Sequence, residues 1–371
     1  MSRYILLISA VILILTCWGF IRISHSQEIK LIKAGDIFPE TPLKTPIHPK
    51  ERKYLGLPKG NTFTLKDIKA DLVLVEILSV YCPSCQRQAP AYNKLFDLIE
   101  NDTDARGRIK IIGIAVGNGA LEVKDFNKKY KVRFPVIPDP QFEMHRDMRG
   151  SQTPFSIYVR QNRSNQTGLL VETHLGPNRD YKRVFKKLGQ LMALDLAAVQ
   201  KGFRKEEPGS VIVKPVLSDT DLLEKVEDIF TALNGKIMNF QRLVLNSSKY
   251  VYTVIVEQKG QSQRLFAEVI SRPSVCGDCH DIHFIYIFDA SGKVLRFVPL
   301  QLTKYGNKHW DQNDIAKMQE RLLDRSIAEP FIFQPKLDAV SSATITSAVI
   351  FDSLCQGKKL LAELKEKGLI P

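Results

Sequence analysis

The chain has 371 residues, of which 44% are hydrophobic and 25% are charged. This is the composition of an ordinary globular protein long enough for two domains, and it excludes a largely disordered chain. The formal net charge is +13, but the basic residues are spread out in pairs such as Lys128-Lys129 and Lys358-Lys359. We therefore expect solvated basic helix faces and no nucleic-acid partner, with an anionic membrane surface as a weak partner.

The N-terminal segment has the pattern of an export signal. Arg3 precedes an uncharged, apolar stretch over residues 4–21, and the small residues Ser24 and Ser26 stand before a cleavage position at Gln27. Residues 1–26 are therefore predicted to be a signal peptide or an N-terminal membrane anchor, because the stretch is about long enough to span a bilayer. Either outcome places the rest of the chain outside the cytoplasm, in the periplasm or cell envelope. Residues 27–50, rich in Pro and Lys, are predicted to be a tether.

Strand and helix patterns alternate between residues 51 and 200, which predicts an α/β domain of βαβ units. The expected strands are apolar runs, and the expected helices have apolar residues at helical spacing. In chain order they are a strand over 72–78, a helix over 86–99, a strand over 109–116, a helix over 120–130, a strand over 156–159 and a helix over 180–200.

The segment Cys82-Pro83-Ser84-Cys85 lies at the first predicted strand-to-helix turn. The free N–H groups and positive dipole end of a helix start stabilise a thiolate, which is the reactive form of cysteine. The same spacing also occurs in half of a zinc site or in a structural disulfide. Glu76 favours redox use, because an acid inside an apolar strand has a raised pKa and can exchange protons with a buried thiol. Pro154 begins a later strand, where a cis proline can lie beside the dithiol.

These residues resemble the extracytoplasmic TlpA-like thiol-disulfide oxidoreductases of the thioredoxin superfamily, over roughly residues 36–200. The resemblance implies a thioredoxin-like fold in which Cys82 is the exposed attacking cysteine and Cys85 the resolving one. It also implies that Glu76 is the buried proton carrier and Pro154 the cis proline. Tyr81 stands where the family usually has tryptophan. The implied partners are protein thiols or disulfides and an upstream redox partner, and the dithiol chemistry requires no cofactor.

A second domain is predicted after a charged, Pro- and Gly-containing linker over residues 201–215. Residues 216–371 combine strand and helix patterns of an α+β unit. A first helix is capped by Ser218, strands are expected over 250–258, 265–270, 283–289 and 294–302, and helices over 314–325 and 344–367.

A hydroxyl-rich stretch over residues 338–347 precedes the last predicted helix. Hydroxyls and free N–H groups at a helix start suit a phosphate, although N-capping by Ser341 or Ser342 is the alternative. The stretch resembles the Asp-x-x-Ser-Gly-Ala-Thr-x-Thr motif of FMN-binding domains in Rnf-type and sodium-translocating quinone reductase complexes. The resemblance covers roughly residues 217–361 and implies FMN carried on Thr344, with Thr346 and Ser341 nearby. Ser342 replaces the motif glycine, which would hinder flavin attachment if that position needs a positive φ.

A second C-x-x-C pair, Cys276 and Cys279, is followed directly by His280. Three interpretations remain open: a structural or redox-active disulfide, a c-type haem with His280 as axial ligand, and a metal half-site. We rank the disulfide first and haem second. The redox-active version would exchange electrons with Cys82 and Cys85. Cys355 is then left unpaired.

The sequence thus predicts an extracytoplasmic thiol-disulfide oxidoreductase, a thioredoxin-like domain fused to an FMN-binding-like domain, with an electron relay between the two as an extension. The first alternative is an electron-transfer protein whose C-terminal domain carries flavin or haem while the thioredoxin-like domain docks partners. A third interpretation, a non-catalytic binding module, requires a permanent Cys82–Cys85 bridge.

Overall fold

The computed structural model describes residues 27–150, 152–162, 167–196, 210–233, 236–247, 249–258 and 260–371. The predicted signal or anchor over residues 1–26 and most of the predicted linker lie outside these ranges. Within them, every helix is too short or too polar to cross a membrane.

The first part of the chain forms a five-stranded mixed sheet with helices packed on it. Its strands lie in the order β6-β5-β4-β7-β8, with β4, β5 and β6 parallel and β7 and β8 antiparallel to their neighbours. The elements of this part are β1 (Gln27–Lys30), β2 (Leu43–Lys44), α1 (Pro49–Leu55), β3 (Thr62–Phe63), β4 (Leu72–Leu78), α2 (Pro83–Asn101), β5 (Ile109–Val116), α3 (Ala120–Tyr130), β6 (Val136–Asp139), α4 (Glu143–Asp147), β7 (Phe155–Asn162), β8 (Thr167–Leu175) and α5 (Tyr181–Met192).

The central strands explain why this part folds as predicted. Every residue of β4 and β5 is buried, as expected for parallel strands covered by helices on both faces. The predicted α/β arrangement is confirmed, and the sheet order with a helix after β4 is that of a thioredoxin-like domain. The last helix of this part, α5, ends at Met192, earlier than the position 200 expected from its apolar spacing.

The second part is built on a five-stranded antiparallel sheet in the order β10-β11-β12-β13-β14. Its α+β character is confirmed, and Ser218 caps the first helix as predicted, accepting from Asp221 N at 3.2 Å. The elements are β9 (Ser210–Val213), α6 (Asp219–Thr231), β10 (Lys236–Leu243), β11 (Tyr250–Gln258), β12 (Gln261–Arg272), β13 (Ile282–Asp289), β14 (Val294–Gln301), β15 (Thr303–Lys304), β16 (Lys308–His309), α7 (Gln312–Leu322), α8 (Pro335–Asp338), α9 (Thr344–Cys355) and α10 (Gly357–Glu366).

The single last helix predicted over residues 344–367 is wrong, because two helices, α9 and α10, occupy this region. The helix is interrupted at Gln356, and Gly357 packs closely on Ile327. A Cβ atom at position 357 would lie 2.4 Å from Ile327 Cβ, a distance that only glycine avoids.

The two parts pack together through a continuous interface. One cluster of buried apolar side chains includes Met144 and Met148 from the first part and Phe331 and Phe351 from the second. Beside it, Arg146 of α4 and Arg272 of β12 both donate to the buried carboxylate of Asp352 on α9. Two partly exposed arginines thus share one buried carboxylate, whose charge would be buried and unpaired without them.

The segments expected to be a tether and a linker also contain ordered strands. Strand β1 pairs antiparallel with β9, with Gln27 opposite Val213 and Lys30 opposite Ser210. Leu31 and Ile32, which follow β1, are buried. The domain boundaries drawn from the sequence remain predictions, but the chain on both sides of the first domain is structured here.

Candidate active site

The first dithiol stands at the start of α2, directly after the turn that follows β4. Cys82 is the N-cap residue, and Pro83 occupies the first helical position, where its missing N–H is not needed. Cys82 N donates to Ser79 O at 3.0 Å, and Gln86 N donates to Cys82 O at 3.0 Å. Cys85 therefore lies in the first helical turn, as predicted from the strand-to-helix context.

Cys82 is buried, contrary to the exposed position that the family resemblance implied. Cys82 is 0% exposed and Cys85 is 4% exposed. The reason is the second domain, whose residues Val275 to Gly277 lie over the dithiol. The expectation of an exposed attacking cysteine is therefore wrong for the arrangement in this structure.

Glu76 lies buried in the middle of β4 and is held by two hydrogen bonds. Ser156 Oγ donates to one carboxylate oxygen at 2.7 Å, and Gln88 Nε2 donates to the other at 2.5 Å. Burial raises the pKa of Glu76 to about 8, against the opposing effect of these hydrogen bonds. Glu76 and Cys85 line the same small cavity of about 10 Å³, a space of about one water molecule.

The two thiols of the first pair have opposite proton affinities. Hydrogen bonds from Cys276 and then Cys85 lower the pKa of Cys82. Burial, followed by the neighbouring Cys82 sulfur, raises the pKa of Cys85 well above its usual value. Cys82 is thus the thiolate, and Cys85 is the thiol whose proton must be removed before it reacts.

The loop before β7 contains a cis peptide bond between Thr153 and Pro154 and faces the dithiol, as predicted for Pro154. Cys82 Sγ lies 3.6 Å from Thr153 O. The backbone of Thr153 is paired with the second domain: Thr153 N donates to Val275 O at 2.6 Å, and Gly277 N donates to Thr153 O at 3.4 Å. Thr153 and Cys276 thus form an isolated parallel β-bridge.

This bridge places the second C-x-x-C pair against the first. Cys276 is 0% exposed and lies beside both Cys82 and Cys279. The neighbouring Cys279 and then Cys82 raise the pKa of Cys276, whereas Cys276 lowers the pKa of Cys279. The four sulfurs therefore form a series in the order Cys85, Cys82, Cys276 and Cys279.

Polar contacts hold the loop of the second dithiol in place. Ser84 Oγ donates to Asp278 Oδ2 at 2.8 Å, and the Arg87 guanidinium lies 3.6 Å from the same oxygen. On the other side, Asn307 Nδ2 donates to Asp278 O at 3.2 Å, and His280 N donates to Asn307 Oδ1 at 3.2 Å. The loop is thus anchored to both domains.

The geometry does not fit a covalent haem on Cys276 and Cys279. A c-type haem needs both sulfurs at an open apolar crevice, but Cys276 has no exposed surface and packs against Cys82 and the Thr153 loop. His280, the expected axial ligand, is exposed. Across the described ranges, no group of three or more His, Cys, Asp or Glu side chains is placed to hold a metal ion.

The predicted flavin residues lie at the start of α9. Ser341 is exposed, Thr344 is half-buried, and Thr346 is buried with its hydroxyl donating to Thr303 O at 2.9 Å. Capping by Ser341 or Ser342 is wrong, because Ala343 is the N-cap residue and no side chain caps the helix. Ser342 has a φ of 59°, so the position of the motif glycine does adopt the left-handed conformation.

Thr344 also borders a cavity between the two domains. The cavity has a volume of about 710 Å³ and is lined mainly by apolar and aromatic side chains, including Tyr81, Phe126 and Phe333. Its wall contains Tyr81, the residue next to Cys82. Sequence reasoning did not find this cavity, because its two walls come from distant parts of the chain.

Several site residues were missed from the sequence. Ser156 lies opposite Glu76 in the β4–β7 register, and Tyr92 shares a hydrogen bond of 2.7 Å with the Ser156 hydroxyl. A strand alignment would have found Ser156, because β4 and β7 are neighbours. Asp278 and Arg87 could not be found this way, since their contact depends on how the domains dock.

The sheet order, the dithiol at the start of α2 and the facing Thr153–Pro154 loop together define a thioredoxin-like domain. Comparison with known families agrees: residues 35–169 match the AhpC/TSA family. This match covers the first domain only.

Curated relatives match the same part of the chain. The thiol-disulfide oxidoreductase ResA of Geobacillus kaustophilus is 22% identical over 104 residues, which are 28% of this chain and 57% of the relative. Sporulation thiol-disulfide oxidoreductase A of Bacillus subtilis is 22% identical over 112 residues, 29% of this chain and 62% of the relative. The chain thus spans about three fifths of the length of these relatives.

Solved structures with related folds include StoA from Bacillus subtilis, with 18% identity and a TM-score of 0.28 over 34% of this chain and 88% of that one. Another is a putative thiol:disulfide interchange protein DsbE from Chlorobium tepidum, with 16% identity and a TM-score of 0.33 over 44% of this chain and 99% of that one. The assignment of the fold rests on the sheet order and the family match.

Proposed function

We propose that the protein is an extracytoplasmic thiol-disulfide oxidoreductase that uses Cys82 and Cys85. The observation that carries this proposal is a thiolate–thiol pair at a helix start with a buried carboxyl of raised pKa beside it. The names of the curated relatives support the same activity. The predicted export segment over residues 1–26 supports the location and a membrane tether, and an upstream redox partner would set the resting state of the dithiol.

Each step of the exchange can be assigned to a residue of the site. The Cys82 thiolate attacks one sulfur of a disulfide, the S–S bond breaks, and the other sulfur leaves as a thiolate. Cys85 then gives its proton to the Glu76 carboxylate, and its sulfur attacks Cys82. This closes the Cys82–Cys85 disulfide and releases the second thiolate, so two electrons have moved to the substrate. A pKa of about 8 lets Glu76 take and return this proton near neutral pH.

We further propose that the disulfide that meets Cys82 is the Cys276–Cys279 pair of the same chain. The supporting observation is the β-bridge between Thr153 and Cys276, which holds the second pair against Cys82. This contact favours the relay over the alternative in which the first domain only docks partners.

The test is to trap the relay intermediate. In Cys85→Ser protein, Cys82 should attack an oxidised Cys276–Cys279 pair, and alkylation of the released Cys279 should leave Cys82 joined to Cys276, because neither thiol that could break this link remains. Peptide mapping by mass spectrometry under non-reducing conditions should find this Cys82–Cys276 link. Cys85→Ser/Cys276→Ser protein is the matched control and should lack it. If oxidised Cys85→Ser protein keeps only the Cys276–Cys279 bridge, the relay is wrong.

A flavin-carrying second domain is the other candidate function, with FMN attached at Thr344. The observation that favours it is the cavity of about 710 Å³ beside Thr344. The left-handed conformation of Ser342 opposes it, because a serine there is strained where the motif has glycine. A bound FMN would supply one- and two-electron transfer. We propose that the wild-type chain carries no covalent flavin or only partial flavin.

A further inference from the structure

Cys279 differs from the other three thiols of the interface in its access to solvent. Cys82, Cys85 and Cys276 are buried, whereas Cys279 is half-buried between the exposed residues Gly277, Asp278 and His280. We propose that the external partner of this protein reacts at Cys279, and that Cys82 and Cys85 form an internal electron store reached only through it. The proposal rests on the dithiol relay argued above and adds where the partner meets the chain.

Cys82 is buried by an interface between the two domains that consists of several kinds of contact. The domains share one buried apolar cluster, and Asp352 joins Arg146 and Arg272 inside it. The Thr153–Cys276 bridge occupies the backbone edge beside Cys82. An external protein would have to displace all of these contacts to reach Cys82, so the closed arrangement leaves Cys279 as the accessible sulfur of the series.

The surroundings of Cys279 suit a partner that presents its sulfur on a protruding loop. Cys279 N donates to Cys276 O at 3.0 Å, which closes a tight turn and keeps the two sulfurs within bonding reach. The residues next to Cys279 are short or polar, and Asp278 is held down by Ser84 and Asn307. The partner class is therefore a protein with an exposed disulfide, or with an exposed dithiol when electrons flow inward.

The electron path can be written in balanced steps. The Cys279 thiolate attacks the partner disulfide, forming a mixed disulfide and releasing one partner thiolate. Cys276 then gives its proton to the released partner thiolate and attacks Cys279, which forms the Cys276–Cys279 disulfide and releases the second partner thiolate. The Cys82 thiolate attacks Cys276 and releases Cys279 as a thiolate, and Cys85 attacks Cys82 and releases Cys276. The partner gains two electrons, and the Cys82–Cys85 pair loses them.

Alkylation of the fully reduced chain tests the access step. A maleimide coupled to a long polyethylene glycol should modify Cys279 rapidly and leave Cys82, Cys85 and Cys276 unmodified, as read by peptide mass spectrometry. Modification of Cys82 at the same rate as Cys279 would overturn the proposal. Cys355, half-buried in the second domain, is identified by its own peptide and does not affect the comparison.

Single-turnover reduction of insulin disulfides by the pre-reduced chain tests the path. Cys279→Ser should slow the reaction about a hundredfold or more, because Cys82 then reacts only when the domains open. Cys82→Ser should release about half the electrons that wild type releases, since only the second dithiol remains connected. Cys355→Ser is the matched control and should behave as wild type.

The outcomes separate this inference from the proposed function. A fast Cys279→Ser protein combined with an inactive Cys82→Ser protein would overturn the entry at Cys279 and keep the oxidoreductase. A Cys82→Ser protein that releases as many electrons as wild type would overturn the oxidoreductase assignment itself. Asp352→Ala in the Cys279→Ser background should loosen the interface and restore part of the lost rate. No recovery would show that burial of Cys82 is not the reason for the Cys279 dependence.

Discussion

The two C-x-x-C pairs of this protein have the same spacing but lie in different structural surroundings. Cys82 and Cys85 begin a long helix, between a buried carboxyl on β4 and the Thr153 loop. Cys276 and Cys279 lie in a loop between β12 and β13, and one of their sulfurs is partly exposed. Spacing decides only that each pair can close a small disulfide ring. In the relay that we propose, burial, hydrogen bonds and proton acceptors decide which pair stores electrons and which pair meets other molecules.

The largest expected effect comes from breaking the contact between the pairs. Cys82→Ser should abolish electron transfer between the two dithiols, because the serine hydroxyl is not a nucleophile in disulfide exchange. The measurement is the redox state of Cys85 and of the Cys276–Cys279 pair after that pair alone has been oxidised. Unchanged equilibration between Cys85 and the second pair would contradict the series of sulfurs described above.

The next effect concerns the ion cluster that holds the pairs together. Asp352→Asn leaves the partly exposed Arg146 and Arg272 without their shared carboxylate and should lower the unfolding free energy by about 1–3 kcal/mol. Thermal and denaturant unfolding measure it. Asp324→Asn is the matched control: its ion pair with Lys293 is exposed, so its loss should change the unfolding free energy little. Equal effects of the two substitutions would show that the cluster does not stabilise the interface.

Glu76→Gln tests the difference between the two dithiols, because it removes the proton acceptor of the Cys82–Cys85 pair. The exchange rate of wild type should rise with pH as Glu76 loses its proton around pH 8, and the variant should be slower with a flatter profile near neutrality. An unchanged pH–rate profile would show that Glu76 has only a structural role.

The same substitution has a stability signature. The folded-state pKa of Glu76 lies above its ordinary value of 4.5. Stability is therefore full below about pH 4.5 and decreases as pH rises toward the folded pKa, because the buried carboxyl must then ionise. Glu76→Gln should remove this decrease in denaturant unfolding of the reduced protein. If the unfolding free energy of the variant decreases with pH as that of wild type does, ionisation of the buried Glu76 is not the cause of the decrease.

The smallest effect concerns Ser342. Ser342→Gly should relieve the left-handed conformation and stabilise the protein by about 1 kcal/mol, and it should increase flavin attachment when the attaching enzyme is present. Intact mass and visible absorbance measure the flavin, and Thr344→Ala should remove it. Stoichiometric FMN on the wild-type chain would show that glycine is dispensable and that the second domain is a working electron carrier.

Local patterns predicted the parts of the site that come from one segment of chain. The apolar run of β4 followed by Cys82 specified the strand, the turn and the helix start, and the position of Glu76 inside that run predicted its burial. Docking of the domains could not be predicted in the same way, because the Thr153–Cys276 bridge joins backbones with no complementary sequence signal. For that reason the sequence could suggest a relay, but it predicted an exposed Cys82 where the structure has a buried one.

The pairing of β1 with β9 has a consequence for the order in which the protein is made. Strand β1 leaves the ribosome before any of the first domain, but its partner follows that whole domain in the chain. The four residues Gln27–Lys30 must therefore wait with unpaired backbone groups until residue 213 has emerged. The two ends of the first domain can therefore pair only when the start of the second domain has been synthesised.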